Sequence, residues 1–443
     1  MSGERPTIVF FPEGAYGPTN NCVGIGDVLR ARGHRVVFIV EESFAGTLEA
    51  KGFEERLMRL GPKPEVEEAP GQFWKDFIRD TAPEFRKPTI TQLSTFLQPT
   101  WQALIDGAKY VEPRLREVFD ELRPDVIVED NVVCFPAVTT AGVPWARIIS
   151  CNPAELKDAA VPPVFSGYPT ANRGGWDQFR AEHRRSHGEM WADFDAFVRE
   201  QGAEGLPDGA FGPEFIHESP WLNLYLYPAE ADYERGRPLH PTWHRLDTCV
   251  RATEAPFELP DHLAKPSGRL IYLSLGSLGS ADVELMQHLI DVLGRTEHRV
   301  IVSQGPQAEL LRLHDNMWGG EFVPQPSILP LVDLVITHGG NNTVTEAFYN
   351  GKPMIVLPLF WDQYDNAQRV AELGFGVRLP TYTFDEADLL GAIDRIGADG
   401  ALHARMATIS RRLQANPGTL KAAGLIERLA HEGRPVTRQE ASA

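Results

Sequence analysis

Short apolar runs alternate with amphipathic stretches from one end of the chain to the other. Residues 7–11 (TIVFF) have the length of a buried strand, and residues 35–40 (RVVFIV) repeat the pattern. Between them, Cys22, Val23, Ile25, Val28 and Leu29 share one helical face. This predicts a loop over 12–19 and a helix over about 20–32, with Asn20 or Asn21 as N-cap and Gly33 as its stop. Strand, helix and strand in such short compass make the opening of a doubly wound parallel-sheet domain. A long helix over 101–122 and strands over 125–129, 145–150 and 222–227 continue it. Residues 152–220, rich in Gly, Pro and aromatics, lack clean periodicity and read as partly helical excursions.

Residues 250–267 are proline-punctuated with little periodicity, as in an interdomain linker. A second alternation of strands and helices follows, opening at 270–275 and turning at Gly276-Ser277. Three helical patterns lie beyond residue 383, the last over 420–429. The expected architecture is α/β, with two Rossmann-like doubly wound domains facing across a cleft. Residues 1–249 form the first domain, 250–267 the linker and 268–400 the second domain, while 401–443 supply helices that pack back toward the first.

The densest chemistry lies in 321–367, EFVPQPSILPLVDLVITHGGNNTVTEAFYNGKPMIVLPLFWDQYDNA. The run 333–337 reads as a buried strand that breaks at His338-Gly339-Gly340, and 343–349 reads as a helix. A helix N-terminus presents unpaired N–H groups and a partial positive charge, so this turn suits a pyrophosphate. Asn342, Thr343 and His338 add side-chain hydrogen-bonding groups. Glu346, one turn on, suits a ribose diol, and Asp362-Gln363 suit sugar hydroxyls.

Pro324, Gln325, His338, Gly340, Asn342, Thr343, Glu346, Gly351, Pro353, Pro358, Asp362 and Gln363 occur in the order of a known donor signature. By it the segment resembles that of family 1 UDP-glycosyltransferases, in the type represented by bacterial macrolide and natural-product enzymes, which have the GT-B fold. The resemblance implies that Phe322 stacks on uracil with Val323 beside it, that Gln325 and Glu346 meet the ribose, and that Asp362 and Gln363 meet the sugar. His338, Gly340, Asn342 and Thr343 would hold the diphosphate, with Ser277 as a further donor. It also implies an inverting transfer of a hexose, glucose by expectation, from a UDP-sugar, with no metal or cofactor required.

A net charge of −18, from 43 basic against 61 acidic residues, argues against a nucleic-acid or anionic-membrane partner. Cys22, Cys134, Cys151 and Cys249 stand far apart, which predicts free thiols. The absence of a signal-like or spanning run predicts a soluble, cytoplasmic protein. Phe73, Trp74, Phe77 and Phe96 are candidates to line a pocket for a small, largely apolar acceptor, phenolic or polyketide-like.

One family feature is missing. The catalytic His that the resemblance places ahead of Arg32-Gly33-His34 falls at Pro18, which accepts no proton. The alternatives are that Asp130, Glu13 or Tyr16 serves as base, that the acceptor ionises unaided, or that the chain is a non-catalytic nucleotide-sugar-binding protein. A GT-B nucleotide-sugar epimerase is the remaining enzyme alternative.

Overall fold

The computed structural model describes residues 5–62, 80–252, 255–265 and 267–438. Two parallel sheets form it. The first has seven strands in the order β3-β2-β1-β4-β5-β6-β7: β1 Thr7–Pro12, β2 Arg35–Glu41, β3 Glu54–Met58, β4 Val126–Asp130, β5 Trp145–Ile149, β6 Leu222–Tyr225 and β7 Trp243–Arg245. The second has six in the order β10-β9-β8-β11-β12-β13: β8 Leu270–Ser274, β9 Arg299–Ser303, β10 Met317–Gly320, β11 Leu334–Thr337, β12 Met354–Val356 and β13 Gly376–Arg378.

The strands read as continuous apolar runs because both faces are covered. In β1, Ile8 and Phe10 enter one core while Val9 and Phe11 enter the other. Each sheet reverses its strand order once, between β1 and β4 and between β8 and β11. At such a switch point the helices leave to opposite faces and open a crevice at the carboxyl ends of the strands.

The first helix is Tyr16–Ala31, four residues longer at its start than the periodicity predicts. Pro18 is its third residue, where the missing N–H has no intrahelical acceptor to serve, so proline is tolerated. Asn20 and Asn21 are therefore inside the helix, and Asn21 is buried with its amide donating to Ser150 Oγ at 3.0 Å. A helix of 25 residues, Trp176–Glu200, occupies the stretch without clean periodicity. His183, Ser186 and His187 sit on its buried face, and these polar residues blur the apolar repeat. The short β7 also escapes pattern reading.

The last helix, Gly418–Glu432, lies against the first: Ala422, Ala423, Leu425, Ile426 and Leu429 share a core with Cys22, Val23, Ile25 and Leu29. A Cβ on Gly418 would fall 2.1 Å from the Thr248 carbonyl oxygen, so only glycine allows this approach.

Candidate functional site

A cleft of about 520 Å³ joins the two switch points. Its donor-side wall carries Ser277, Phe322, Val323, Gln325, His338, Gly340, Asn342, Thr343, Asp362 and Gln363, so the structure brings these ten expected residues to one surface. The turn after β11 runs through Gly339 at φ +90° into the helix Asn341–Tyr349, capped by Gly340. The first-turn N–H groups of that helix have no intrahelical acceptor and face the cleft end.

His338 is wedged between two glycines. A Cβ on Gly340 would lie 2.6 Å, and one on Gly276 2.7 Å, from its Nε2. Burial pushes the imidazole down to about 4, opposed by its hydrogen bond to the Ser274 carbonyl, so the ring is neutral at pH 7. Glu346 does not itself line the cleft. It stands behind Gln325, whose Nε2 donates to it at 2.6 Å, and Asn342, whose Nδ2 donates at 3.3 Å. Tyr272 Oη donates to Gln325 Oε1 at 3.1 Å and completes the support.

The three candidate bases separate by position. Asp130 ends β4 but is buried and does not line the cleft, its Oδ2 accepting from Ser150 Oγ at 2.5 Å. Burial raises it to about 7. Tyr16 is at the cleft mouth, nearly half exposed, its ring 5.3 Å from Phe44 and 5.9 Å from Phe322. Burial and the nearby Glu321 push its hydroxyl further up from the ordinary phenol range. Glu13, on the turn between β1 and the first helix, is the one carboxylic residue of the three that lines the cleft. Burial, then the charges of Asp130 and Asp362, raise it to about 7.

On the first-sheet side, Phe44, Leu48, Phe96, Thr100 and Leu104 face Phe360 and Trp361 across the cleft. Phe96 packs on Phe85 and Phe360 at 4.9 and 5.6 Å. Phe73, Trp74 and Phe77 lie outside the described residues.

Sequence reasoning missed the residues that tie the two sheets together. Asp362 Oδ2 accepts the Asn152 N–H at 2.7 Å, and Asn152 Nδ2 donates to Asn366 Oδ1 at 2.7 Å. Asp365 accepts the N–H groups of Phe165 and Gly167 at 2.6 and 2.8 Å. Asn341 Nδ2 donates to the carbonyls of Ser150 and Leu226 at 2.9 and 3.1 Å. Trp361, at φ +57°, packs on Trp101 and Phe165 of the first sheet's side. A bulky residue in the left-handed region is strained, and here two rings hold it while Asp362 is aimed across the interface. The one available signal was polar residues on the buried face of the helix Gln363–Glu372.

All four cysteines are unpaired. Among the described residues no helix is long and apolar enough to cross a membrane, and no His, Cys, Asp and Glu cluster is arranged to hold a metal ion.

Residues 287–429 match the family model described as Erythromycin biosynthesis protein CIII-like, C-terminal domain. The chain is 25% identical to an NDP-glycosyltransferase of Bacillus subtilis, over 93% of this chain and 94% of the relative. It is 27% identical to the oleandomycin glycosyltransferase of Streptomyces antibioticus, over 95% and 90%. Among solved structures, the glycotransferase of kitacinnamycin superposes with a TM-score of 0.68 at 22% identity, covering 96% of this chain and 99% of that one. The glycosyltransferase VinC in complex with DTDP superposes at 0.62 with 18% identity, covering 96% and 100%. With two switch-point sheets and relatives matched along nearly their whole length, the chain is a glycosyltransferase enzyme with the GT-B fold, similar to the bacterial natural-product enzymes of family 1.

Proposed function

We propose that the protein transfers a hexose, glucose by our reading, from a UDP-sugar to a small, largely apolar natural-product acceptor, with inversion. The observation that carries the proposal is the position of Glu13. Glu13 lines the same cleft as the turn at Gly340–Thr343 and the apolar side chains of Phe96, Leu104 and Phe360. The relatives named for oleandomycin, demethyllactenocin and zeaxanthin support the acceptor class. The DTDP complex of VinC is the reason to test both nucleotides.

In this reading Phe322 and Val323 take the base, Gln325 the ribose with Glu346 behind it, and Asp362 and Gln363 the sugar. Glu13, ionised, accepts the acceptor's hydroxyl proton as its oxygen attacks the anomeric carbon. The bond from that carbon to the β-phosphate oxygen breaks with its electron pair leaving on UDP. The helix end at Gly340–Thr343 and His338 stabilise the charge that develops there, in the place a metal ion would otherwise take. Pro18 needs no replacement in its own position, because a residue five earlier in the chain reaches the cleft from the preceding turn.

Turnover of UDP-glucose and TDP-glucose with acceptors from acidic phenols to aliphatic alcohols, read by mass spectrometry, tests this. Acceptor-dependent nucleotide release with a glycosylated product is the expected result. Tight nucleotide binding with no product from any acceptor supports the non-catalytic reading instead, and an epimerised sugar nucleotide supports the epimerase.

A further inference from the structure

Two asparagines that do not line the cleft join three parts of the site around it. Asn152 lies on the loop after β5, Asn366 lies in the helix Gln363–Glu372, and both are fully buried. The Ala154 N–H donates to Asn152 Oδ1 at 2.8 Å, Asn152 Nδ2 donates to Asn366 Oδ1 at 2.7 Å, and Asn366 Nδ2 donates to the Gly339 carbonyl at 2.9 Å. A backbone donor at one end and a backbone acceptor at the other fix the direction of both amides, so neither can flip without breaking a bond. The line runs from the first domain to the turn after β11.

Asp362 is held by the same pair. Its Oδ2 accepts from the Asn152 N–H at 2.7 Å and, at longer range, from Asn366 Nδ2 at 3.4 Å. Asp362 lines the cleft and neither asparagine does, so the asparagines can act on a bound sugar only through the carboxylate and the turn.

Gly339 is where the line meets the turn. It stands at φ +90°, and a Cβ on it would fall 2.7 Å from Val356 Cγ1, so the turn is packed tightly against β12. One side-chain amide group therefore contacts both the turn that would take the diphosphate and the carboxylate that would take the sugar, while the oxygen of the same side chain accepts from the first domain.

We propose that Asn366 is a positioning residue for sugar selection, setting Asp362 against the turn at Gly339, and that Asn152 makes this setting depend on the first domain. The inference rests on the donor reading above, in which Asp362 meets the sugar and the helix end at Gly340–Thr343 meets the diphosphate. It adds that the donor is read by both sheets: nucleotide affinity belongs to the second domain, and discrimination between sugars to the docked pair.

The test compares the wild type with Asn366→Ala, Asn366→Asp and Asn152→Ala, using UDP, UDP-glucose and its C4 epimer UDP-galactose, with the TDP counterparts alongside. Calorimetry reads nucleotide affinity, and mass spectrometry reads kcat/KM for each donor with one phenolic acceptor. Asn366→Ala is expected to keep UDP affinity within about threefold and to lower kcat/KM for the preferred sugar roughly 10- to 100-fold, the effect of a misplacement of about 1 Å. The less favoured epimer loses less, so the ratio between the two donors falls toward one. That ratio does not depend on how much of the enzyme is folded, so a merely structural role leaves it unchanged. Asn366→Asp, which keeps the shape and loses the donor to Gly339, should match Asn366→Ala. Asn152→Ala keeps the backbone bond to Asp362, should lower the ratio less, and carries the test if the Asn366 variants do not fold. A wild-type sugar ratio in the folded variants, an equal loss for UDP and UDP-glucose, or a wild type that treats both epimers alike overturns the proposal while the nucleotide reading stands. A wild type that binds no UDP or TDP donor overturns both.

Discussion

The proposed donor and catalytic halves of the cleft are built by opposite means. The donor half comes from one continuous segment, in which β11, its turn and the following helix place His338, Gly340, Asn342 and Thr343 within a few residues of one another. Its chemistry is largely backbone chemistry, and a helix end binds anions whatever lies farther away. The catalytic half draws Glu13 from one strand end, Phe96 from a distant helix and Asp362 from the other sheet. Its central property, a carboxyl raised to about 7, exists only because burial and two distant carboxylates act on Glu13 together. A local site survives much substitution elsewhere, whereas an assembled one depends on every element that brings it together.

Replacing a residue in each half tests that contrast. The largest effect is expected from Glu13→Gln, which removes the proposed base and leaves the donor turn intact. Turnover of an aliphatic alcohol should fall about 10²- to 10⁴-fold, with UDP affinity close to wild type by calorimetry. An acidic phenol should lose far less, since it ionises without help; equal losses for both acceptors would mean that Glu13 is not the base. His338→Ala acts on the other half and is expected to lower kcat by roughly 10²-fold, as removal of one charge-stabilising group does. That loss should be the same for phenol and alcohol, and a dependence on acceptor acidity would undo the division between the halves.

The pH dependence sharpens the comparison. If Glu13 must be ionised, kcat/KM for an alcohol rises with pH, by about tenfold per unit, and levels off above about pH 7. The Glu13→Gln variant should lack this limb. A wild-type profile that is flat from pH 5 to 8 would place the base elsewhere.

The smallest effect concerns stability. The folded Glu13 carboxyl titrates near 7, above its ordinary 4.5, so the folded state holds a proton that the unfolded state releases. Stability therefore declines as pH rises from about 4.5 to 7, and the penalty is complete above that window. Glu13→Gln removes the penalty, so its Tm should exceed that of the wild type by roughly 2 °C at pH 8 and match it at pH 4. A variant less stable than wild type at pH 8 would show that the carboxylate is held by favourable contacts instead.

Where the sequence was legible, a local rule applied. The strands were readable because a strand buried on both faces is a plain apolar run, as in β1, β2 and β11. The start of the first helix was not, because proline in a first turn and proline in a loop look alike along a chain. The helix Trp176–Glu200 was obscured by histidines and a serine on its buried face. The ties between the sheets, Asn152 to Asp362 and Asn366, and Phe165 and Gly167 to Asp365, join residues about two hundred positions apart and leave no periodic mark.

The sequence by itself determined two parallel-sheet units and the glycine turn from β11 into the helix Asn341–Tyr349, because periodicity, glycine and helix ends act over a few residues. The tertiary structure alone decided which of the candidate residues line the cleft. Along the chain Asp130, Glu13 and Tyr16 are all open as the base, and Asp130 stands out by its place at the carboxyl end of a strand. Asp130 is buried behind Ser150, to which it is hydrogen-bonded, while Glu13, on the turn before the first helix, lines the cleft. It also decided that His338 is neutral and that Arg251 meets Glu346, since burial and charge pairing are properties of what surrounds a side chain in space.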